Sequence, residues 1–560
     1  MSDRWDAIVI GGGPAGCSVA TTLRAWGRSV LLLEREVLPC GHGGQSLTPG
    51  TWRVFTALGV GDRVGRAGLV PKAGSTFVWG PARTRWSVYY GPAGQAEPAF
   101  HVRRDELDGI LLQRAASAGV DVRRGHEVRG ILATGDRAEG VVFRGPDGRE
   151  SRATAAWVVD ASGRDALVTA EMASREHHPT LAHTVAWAHW ERSRRLPGDD
   201  AGNTLCVEHE RGLTWHLPLG GSTDAACAGV VLPSSELVPG GAGEAVYREA
   251  IADSDVVAEL LAGATLAGPV RVAPASAYRA SRMAGPGWLL AGDAAFFVDP
   301  IISPGVQAAL TQGRLAATVI DAVLDHPELE AQAAAFYHQR LRSEYDAFAG
   351  AAVNVYASVG AQDDAVPAAP SAGPPAGAPA VPAGPGAPAD GGARLAFLSL
   401  VSGLPVHLLL RSLGEHTARR QLAARRGGAP VTFGEEEGFA FLARLFHGEC
   451  LQDERASRVR GELEDGSVVR LAPGVTAGDR LFLPHEGGRG LARRRAVANR
   501  FGDAFLASPE LEGLLGLLPG GLACGTLERR LSEALGAGAI ADGAFRSCLG
   551  LLADQALVEW

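Results

Sequence analysis

Ile8-Val9-Ile10-Gly11-Gly12-Gly13-Pro14-Ala15-Gly16 is the stretch that decides the fold. An apolar run ends in G-x-G-x-x-G, and a second apolar run, Ser29-Val30-Leu31-Leu32-Leu33, ends in Glu34. That order predicts a buried strand, a glycine turn, a helix and a parallel strand closed by an acid, which is a dinucleotide-binding unit. Gly11 permits the tight turn, Gly13 lets the backbone approach a pyrophosphate, and Gly16 lets the helix pack on the strand. Pro14 and Ala15 open the helix, whose unpaired N–H groups and dipole favour the negative charge of the pyrophosphate. Glu34 is placed to accept hydrogen bonds from a ribose diol.

Working outward, the chain of 560 residues is too long for one compact core, so two or three domains are expected. Its net charge of -9 argues against nucleic acid or an anionic membrane as the main partner. No signal peptide is expected, because Met1-Ser2-Asp3 leads straight towards a core strand. The longest apolar stretch, Leu395 to Leu410, is interrupted by Ser399, Ser402, Gly403, Pro405 and His407 and is too short to span a bilayer. The seven cysteines form no C-x-x-C and no cluster with histidine, as in a reduced, cytoplasmic protein without a metal site.

Residues 361–393 are nearly all Ala, Pro and Gly and cannot bury enough apolar surface to offset the entropy of ordering them. They divide a catalytic body, residues 1–360, from a C-terminal region, residues 394–560. In that region Leu395 to Arg425 reads as one or two helices. Val468 to Gly474 and Arg480 to Pro484 read as a strand pair, and helical periodicity follows at Ala504–Leu518, Leu527–Leu535 and Phe545–Leu552. A terminal strand at Leu557–Trp560 closes a pattern similar to a winged-helix module of the kind that captures leader peptides. A structural lid is the competing reading.

Within the body, Trp157-Val158-Val159-Asp160-Ala161-Ser162-Gly163-Arg164 is a buried strand ending in a polar turn. Gly287-Trp288-Leu289-Leu290-Ala291-Gly292-Asp293 delivers Gly-Asp to a helix start. A carboxylate there can bind ribityl hydroxyls, and the helix N-terminus can favour negative charge on an isoalloxazine ring. Together with the first motif, these resemble the FAD-binding body of the aromatic-hydroxylase-like flavoproteins. That resemblance implies an α/β, Rossmann-like FAD domain with an inserted antiparallel substrate sheet. It makes Asp160, Gly292, Asp293 and Arg104 cofactor-binding positions, although Arg104 also reads as a helix cap.

Four further segments resemble the flavin-dependent halogenases of the phenol and pyrrole branch. Gly44-Gln45-Ser46-Leu47-Thr48-Pro49-Gly50 is similar to their G-E-S-L-x-P-G loop, with Gln45 where Glu is usual. Lys72-Ala73-Gly74-Ser75-Thr76-Phe77-Val78-Trp79-Gly80 is similar to the segment carrying their catalytic lysine. Tyr278 to Trp288 resembles their approach to Gly-Asp, and Asp299-Pro300-Ile301-Ile302-Ser303-Pro304-Gly305-Val306 resembles their loop over the flavin. The resemblance implies that reduced FAD and oxygen convert halide to hypohalous acid, which Lys72 directs at an electron-rich ring. It adds Gln45, Ser46, Pro300, Gly305 and Val306 to the flavin contacts, and Ser303 and Gly305 to the halide contacts. It also implies a separate flavin reductase as partner, because no second glycine fingerprint holds a nicotinamide nucleotide. The substrate is a small aromatic, free or tethered to a carrier protein or peptide.

Three departures matter. Leu213-Thr214-Trp215-His216-Leu217-Pro218 keeps only the second tryptophan of the W-x-W-x-I-P motif of tryptophan halogenases, and Ile302 stands where they place a carboxylate. Both favour a phenol or pyrrole, which activates its own ring. Pro304 removes a backbone N–H from the halide loop, a loss of roughly 1.5–3 kcal/mol for a charge-assisted bond. An FAD-dependent monooxygenase hydroxylating a similar ring is therefore the alternative.

Overall fold

The computed structural model describes residues 4–37, 43–79, 83–89, 98–209, 211–220, 224–237, 243–300 and 305–357 of the body. Towards the C-terminus it describes residues 468–471, 476–482, 492–498, 504–506, 522–523, 527, 530 and 558–559. Two compact units are present: Met1–Leu404 with Gly487–Gly490, and Pro405–Glu486 with Leu491–Trp560.

The fingerprint forms as its residues dictate. The Arg4–Ile10 strand pairs in parallel with Val30–Glu34 on one side and Glu150–Asp160 on the other, and Trp288–Leu290 joins beyond. Ala7, Ile8, Val9 and Leu31 to Leu33 are almost wholly buried, which is why these strands read as continuous apolar runs. The Pro14–Ala25 helix follows the glycine turn, with Pro14 in the first helical turn, where its missing N–H costs nothing. Gly305–Asp325 packs beside it, and Ser18 Oγ donates to the Leu310 carbonyl at 2.7 Å. No helix among the described residues is long and apolar enough to cross a membrane.

A second sheet is laid across this body, in the order Thr265–Leu266, His183–Glu191, Ala225–Pro233, Gly212–Gly220, Thr204–His209, Gly74–Trp79, Thr84–Tyr89. It is mixed rather than purely antiparallel as expected, because Thr204–Val207 runs parallel to Ser75–Val78. Those two strands lie more than a hundred residues apart in sequence, so a long crossover can bring them in the same direction. One face of this sheet presents Ala186, Ala188, Trp190, Leu205, Val207, Val230 and Leu232. It packs on Tyr247, Ile251, Val257 and Leu260 of two short helices. The other face, described below, carries the site.

In the second unit the expected strand pair is not formed. Val468–Leu471 pairs with Leu522–Ala523 and Val558–Glu559, whereas Thr476–Phe482 pairs with Ala492–Ala498. The full-length antiparallel match with residues 492–498 supplies more ladder bonds than a tight hairpin across Ala472–Thr476 would. The helix expected from Ala504 begins instead as a strand, Ala504–Leu506, on the edge of Ala496–Ala498. The linker, the helices expected at 395–425 and most of those expected between 507 and 552 lie outside the described residues.

Candidate active site

The carboxyl ends of the parallel strands converge on the glycine turn, the position where open α/β sheets bind nucleotides. Gly11 has φ +100°, and a Cβ there would lie 2.4 Å from the Ala161 carbonyl oxygen. A Cβ on Gly16 would lie 2.0 Å from the Gly11 carbonyl oxygen, so the helix can pack here only with glycine. Gly13 is different, because nothing lies within 4 Å of the position its Cβ would take. The open space beside it is what a pyrophosphate needs, so the turn fits the FAD that the sequence calls for. Glu34 closes its strand as expected, with Oε2 accepting the Gly12 N–H at 2.5 Å and Oε1 accepting the Glu36 N–H at 2.8 Å. It therefore shapes the glycine turn through its own side chain.

Asp160 and Asp293 divide the work differently from what their motifs implied. Asp160 is fully buried, and its oxygens accept the Ser162 N–H and hydroxyl and the Val168 N–H. It builds the turn that faces Gly11 and has little left to offer a ligand. Asp293 keeps 36% of its side-chain surface exposed, with Arg164 Nε 3.7 Å away, so it remains available to a ribityl hydroxyl. Gly292 takes φ +66°, and its N–H is held by the buried Gln312 Oε1 at 2.8 Å, which fixes where Asp293 projects. The Arg104 guanidinium is held by both oxygens of Asp108, at 3.1 and 3.0 Å, one helical turn on. Desolvation holds the Asp293 carboxyl above the usual carboxylate range, opposed first by Arg164 and then by Arg104. Arg104 is the first helical residue, behind Arg103 at the cap position, and makes no capping bond, so the Asp108 ion pair replaces the cap reading.

Lys72 lies in the short connection between Val70–Pro71 and Gly74–Trp79, its N–H bonded to the Ala99 carbonyl at 2.8 Å. The side chain is 6% exposed, and its Nζ donates to Ser46 Oγ at 2.6 Å. Ser46 in turn meets Thr204 Oγ1 at 3.0 Å. The loop residue and the lysine, 26 positions apart in sequence, are therefore joined in one buried hydrogen-bonded group. Burial pulls the Lys72 ammonium down to about 7, only partly opposed by the neighbouring Cys206 thiol. Burial likewise pushes Cys206 up to about 12. His101, paired with Ser46 across the sheet edge, is fully buried, and its Nε2 donates to the Gly202 carbonyl at 2.9 Å. Desolvation and then the Lys72 charge hold its imidazole well below the ordinary range, so it stays neutral.

This gives a stability prediction. The Lys72 value falls from 10.5 to about 7 on folding, so its contribution is unpenalised above pH 10.5 and worsens as pH falls towards 7. Lys72→Met should stabilise the protein at pH 7 by on the order of 3–5 kcal/mol, with the gain gone at pH 10.5. Urea midpoints of both proteins at the two pH values test it, and equal midpoints at pH 7 would refute it.

One cluster was not legible in the sequence. The buried Asp299 carboxylate accepts the His183 Nδ1–H at 2.7 Å and the Tyr356 hydroxyl at 2.8 Å, and the His183 and Tyr356 rings lie 4.3 Å apart. Tyr356 in turn interacts with the Cys206 thiol, which links this cluster to the Lys72 group. His183 is 116 residues and Tyr356 57 residues from Asp299, so no local pattern could have joined them. Asp299 opens the expected flavin loop. Pro300, Gly305 and Val306 are described, with open space beside Gly305 and Val306 buried. Ile302, Ser303 and Pro304, and with them most of the expected halide contacts, lie outside the described residues.

A family model described as an FAD binding domain matches residues 4–342. The flavin-dependent halogenase armH3 of Armillaria mellea is 30% identical over 384 residues, covering 64% of this chain and 76% of the relative. The chain belongs to the flavin-dependent halogenases. Among solved structures, the myxobacterial chondrochloren halogenase CndH superposes with a TM-score of 0.61 at 33% identity, covering 64% of this chain and 84% of that one. The halogenase CmlS superposes with a TM-score of 0.71 over 100% of this chain and 96% of its own, at 21% identity, which speaks for the fold alone. This halogenase uses FAD, and the open turn at Gly13, with Glu34 bonded to the Gly12 N–H and Asp293 still partly exposed, is the part of the chain that fits it.

Proposed function

We propose that this halogenase acts on a phenol- or pyrrole-type ring, presented by a carrier protein or peptide, with Lys72 as the residue that directs the oxidised halogen. The observation that carries the reading is a lysine buried at the edge of the substrate sheet, tied to Ser46, with its ammonium pulled down to about 7. When bound, reduced FAD with oxygen supplies the two-electron oxidation of halide to hypohalous acid, and a separate reductase renews the cofactor. A lysine near neutrality exchanges its proton readily, so its ammonium can hydrogen-bond the hypohalous oxygen and protonate it. The ring carbon then bonds to the halogen, the oxygen leaves as water, and the ring proton is released. Ser46 and Thr204 hold Nζ in place, and the neutral His101 adds no competing cation.

A carrier-bound substrate draws support from a relative named 1H-pyrrole-2-carbonyl-[peptidyl-carrier protein] brominase, 25% identical over 57% of this chain and 78% of its own. Pairing of Arg470–Leu471 with Val558–Glu559 supports a terminal strand of the winged-helix kind in the second unit, the part we assign to holding a carrier or leader. The enzyme works in the cytoplasm on this reading.

Incubation with reduced FAD, oxygen, bromide and an electron-rich phenol, followed by mass spectrometry, tests the reaction. A bromine isotope pair is expected. A gain of one oxygen without bromine would replace the reading with hydroxylation.

A further inference from the structure

The site face of the substrate sheet carries an indole donor that no described residue uses. In register across five strands stand Phe77, Cys206, Trp215, Gly229 and Trp187. Paired residues share a face, so these line one row, with Lys72 interacting with Cys206 towards one end and Trp187 at the other. A Cβ on Gly229 would lie 2.1 Å from the Trp215 ring, so the glycine is what lets that indole lie across the sheet. Trp215 bonds to the Cys227 thiol. Trp187 Nε1 has no hydrogen-bond partner among the described residues, although it is shielded from solvent. It lies against Gly43, where an added Cβ would stand 2.9 Å from it, next to the Gly44–Ser46 strand that brings Ser46 to Lys72.

A phenylalanine would fill this place without leaving a polar group unpaired, so the indole N–H points to a ligand. We propose that Trp187 reads the substrate, donating its N–H to a carbonyl oxygen on a side arm of the ring rather than to a ring hydroxyl. The spacing supports this choice. From Cys206 to Trp187 the row crosses three strand intervals, about 14 Å at about 4.8 Å each. Lys72 works at the near end, so an oxygen on the reacting ring itself sits too close to the lysine to reach the far indole. A carbonyl linking the ring to a carrier or peptide reaches further. The inference rests on the proposed phenol-type substrate and adds what recognises its tether.

The test compares bromination of two probes, 4-ethylphenol and N-methyl-3-(4-hydroxyphenyl)propanamide, by the FAD-loaded enzyme. Wild type should favour the amide by roughly tenfold in kcat/KM, the worth of one hydrogen bond to a buried donor. Trp187→Phe should bring that ratio close to one, and Trp187→His, which restores a ring N–H, should recover part of it. FAD affinity, read by flavin fluorescence quenching, should be the same in all three proteins. A ratio that Trp187→Phe leaves untouched overturns the assignment. Loss of FAD in that variant also overturns it, by giving the N–H to the flavin. If wild type brominates neither probe, the phenol reading itself fails and the assignment falls with it; bromination of both probes with an unaltered ratio sinks the assignment alone.

Discussion

Lys72→Ala should abolish halogenated product while FAD still binds and oxygen is still consumed. The lysine lies at the edge of the substrate sheet, bonded to Ser46, and none of the glycine-turn contacts depends on it. Without the amine, hypohalous acid has no directed path to the ring and leaks away or reacts unselectively. The expected loss of product is at least about a thousandfold, in the range for removal of a group acting directly in proton transfer and electrostatic stabilisation. Oxygen uptake and product, measured together with bromide and an electron-rich phenol, check this. A variant that keeps wild-type product yield would remove Lys72 from the mechanism. Conversely, a variant that stops oxygen uptake would move its role to an earlier step. Lys72→Met should behave the same way in catalysis while gaining stability at pH 7, since the enzyme holds an amine in a place that favours an apolar side chain.

The second large effect separates two glycines of one motif. Gly13→Val should give a folded protein that purifies without flavin. The Gly13 backbone is extended, at φ -74° and ψ -174°, which any residue adopts, and the space at its Cβ is open, so the apoprotein should melt within about 1 kcal/mol of wild type. The same side chain would occupy the pyrophosphate position and remove two or more charge-assisted bonds, lowering FAD affinity by at least about a hundredfold. Gly16→Val should instead destabilise the apoprotein itself, by on the order of 4 kcal/mol or more. Its Cβ would have to sit 2.0 Å from the Gly11 carbonyl oxygen and 3.2 Å from Val9 Cγ1. Thermal melts with and without FAD, alongside flavin absorbance of the purified proteins, distinguish the two. Full flavin absorbance in Gly13→Val would contradict the assignment of the turn.

The glycine turn, the parallel strands around it and the Gly-Asp turn were legible in the sequence because each rests on local constraints. A positive φ at Gly11, a close helix at Gly16 and a continuous apolar strand each leave a mark within a few residues. Lys72 was legible for a different reason, through the likeness of the residues around it to a known segment. Its burial, its bond to Ser46 and its lowered proton affinity were not, because they depend on strands brought together from residues 44–46, 70–79 and 204–209. Asp160 shows the opposite limit. Its motif marked it as a ligand contact, and only the packed turn shows both oxygens engaged by backbone and Ser162.

In the second unit the strands at residues 468–471 and 558–559, and the Arg480–Phe482 end of the strand at 476–482, were readable from their apolar runs, but their partners were not. Pairing is chosen by the competition among all available edges, and a short apolar window carries no record of which edge wins. For the same reason the His183–Asp299–Tyr356 cluster and the aromatic row ending at Trp187 belong to tertiary structure alone. By itself the sequence determined a dinucleotide fold, its glycine turn and the position of the lysine proposed to direct the halogen. The tertiary structure decided which side chains surround that lysine, because those contacts join residues between 26 and more than a hundred positions apart and arise only when the substrate sheet closes.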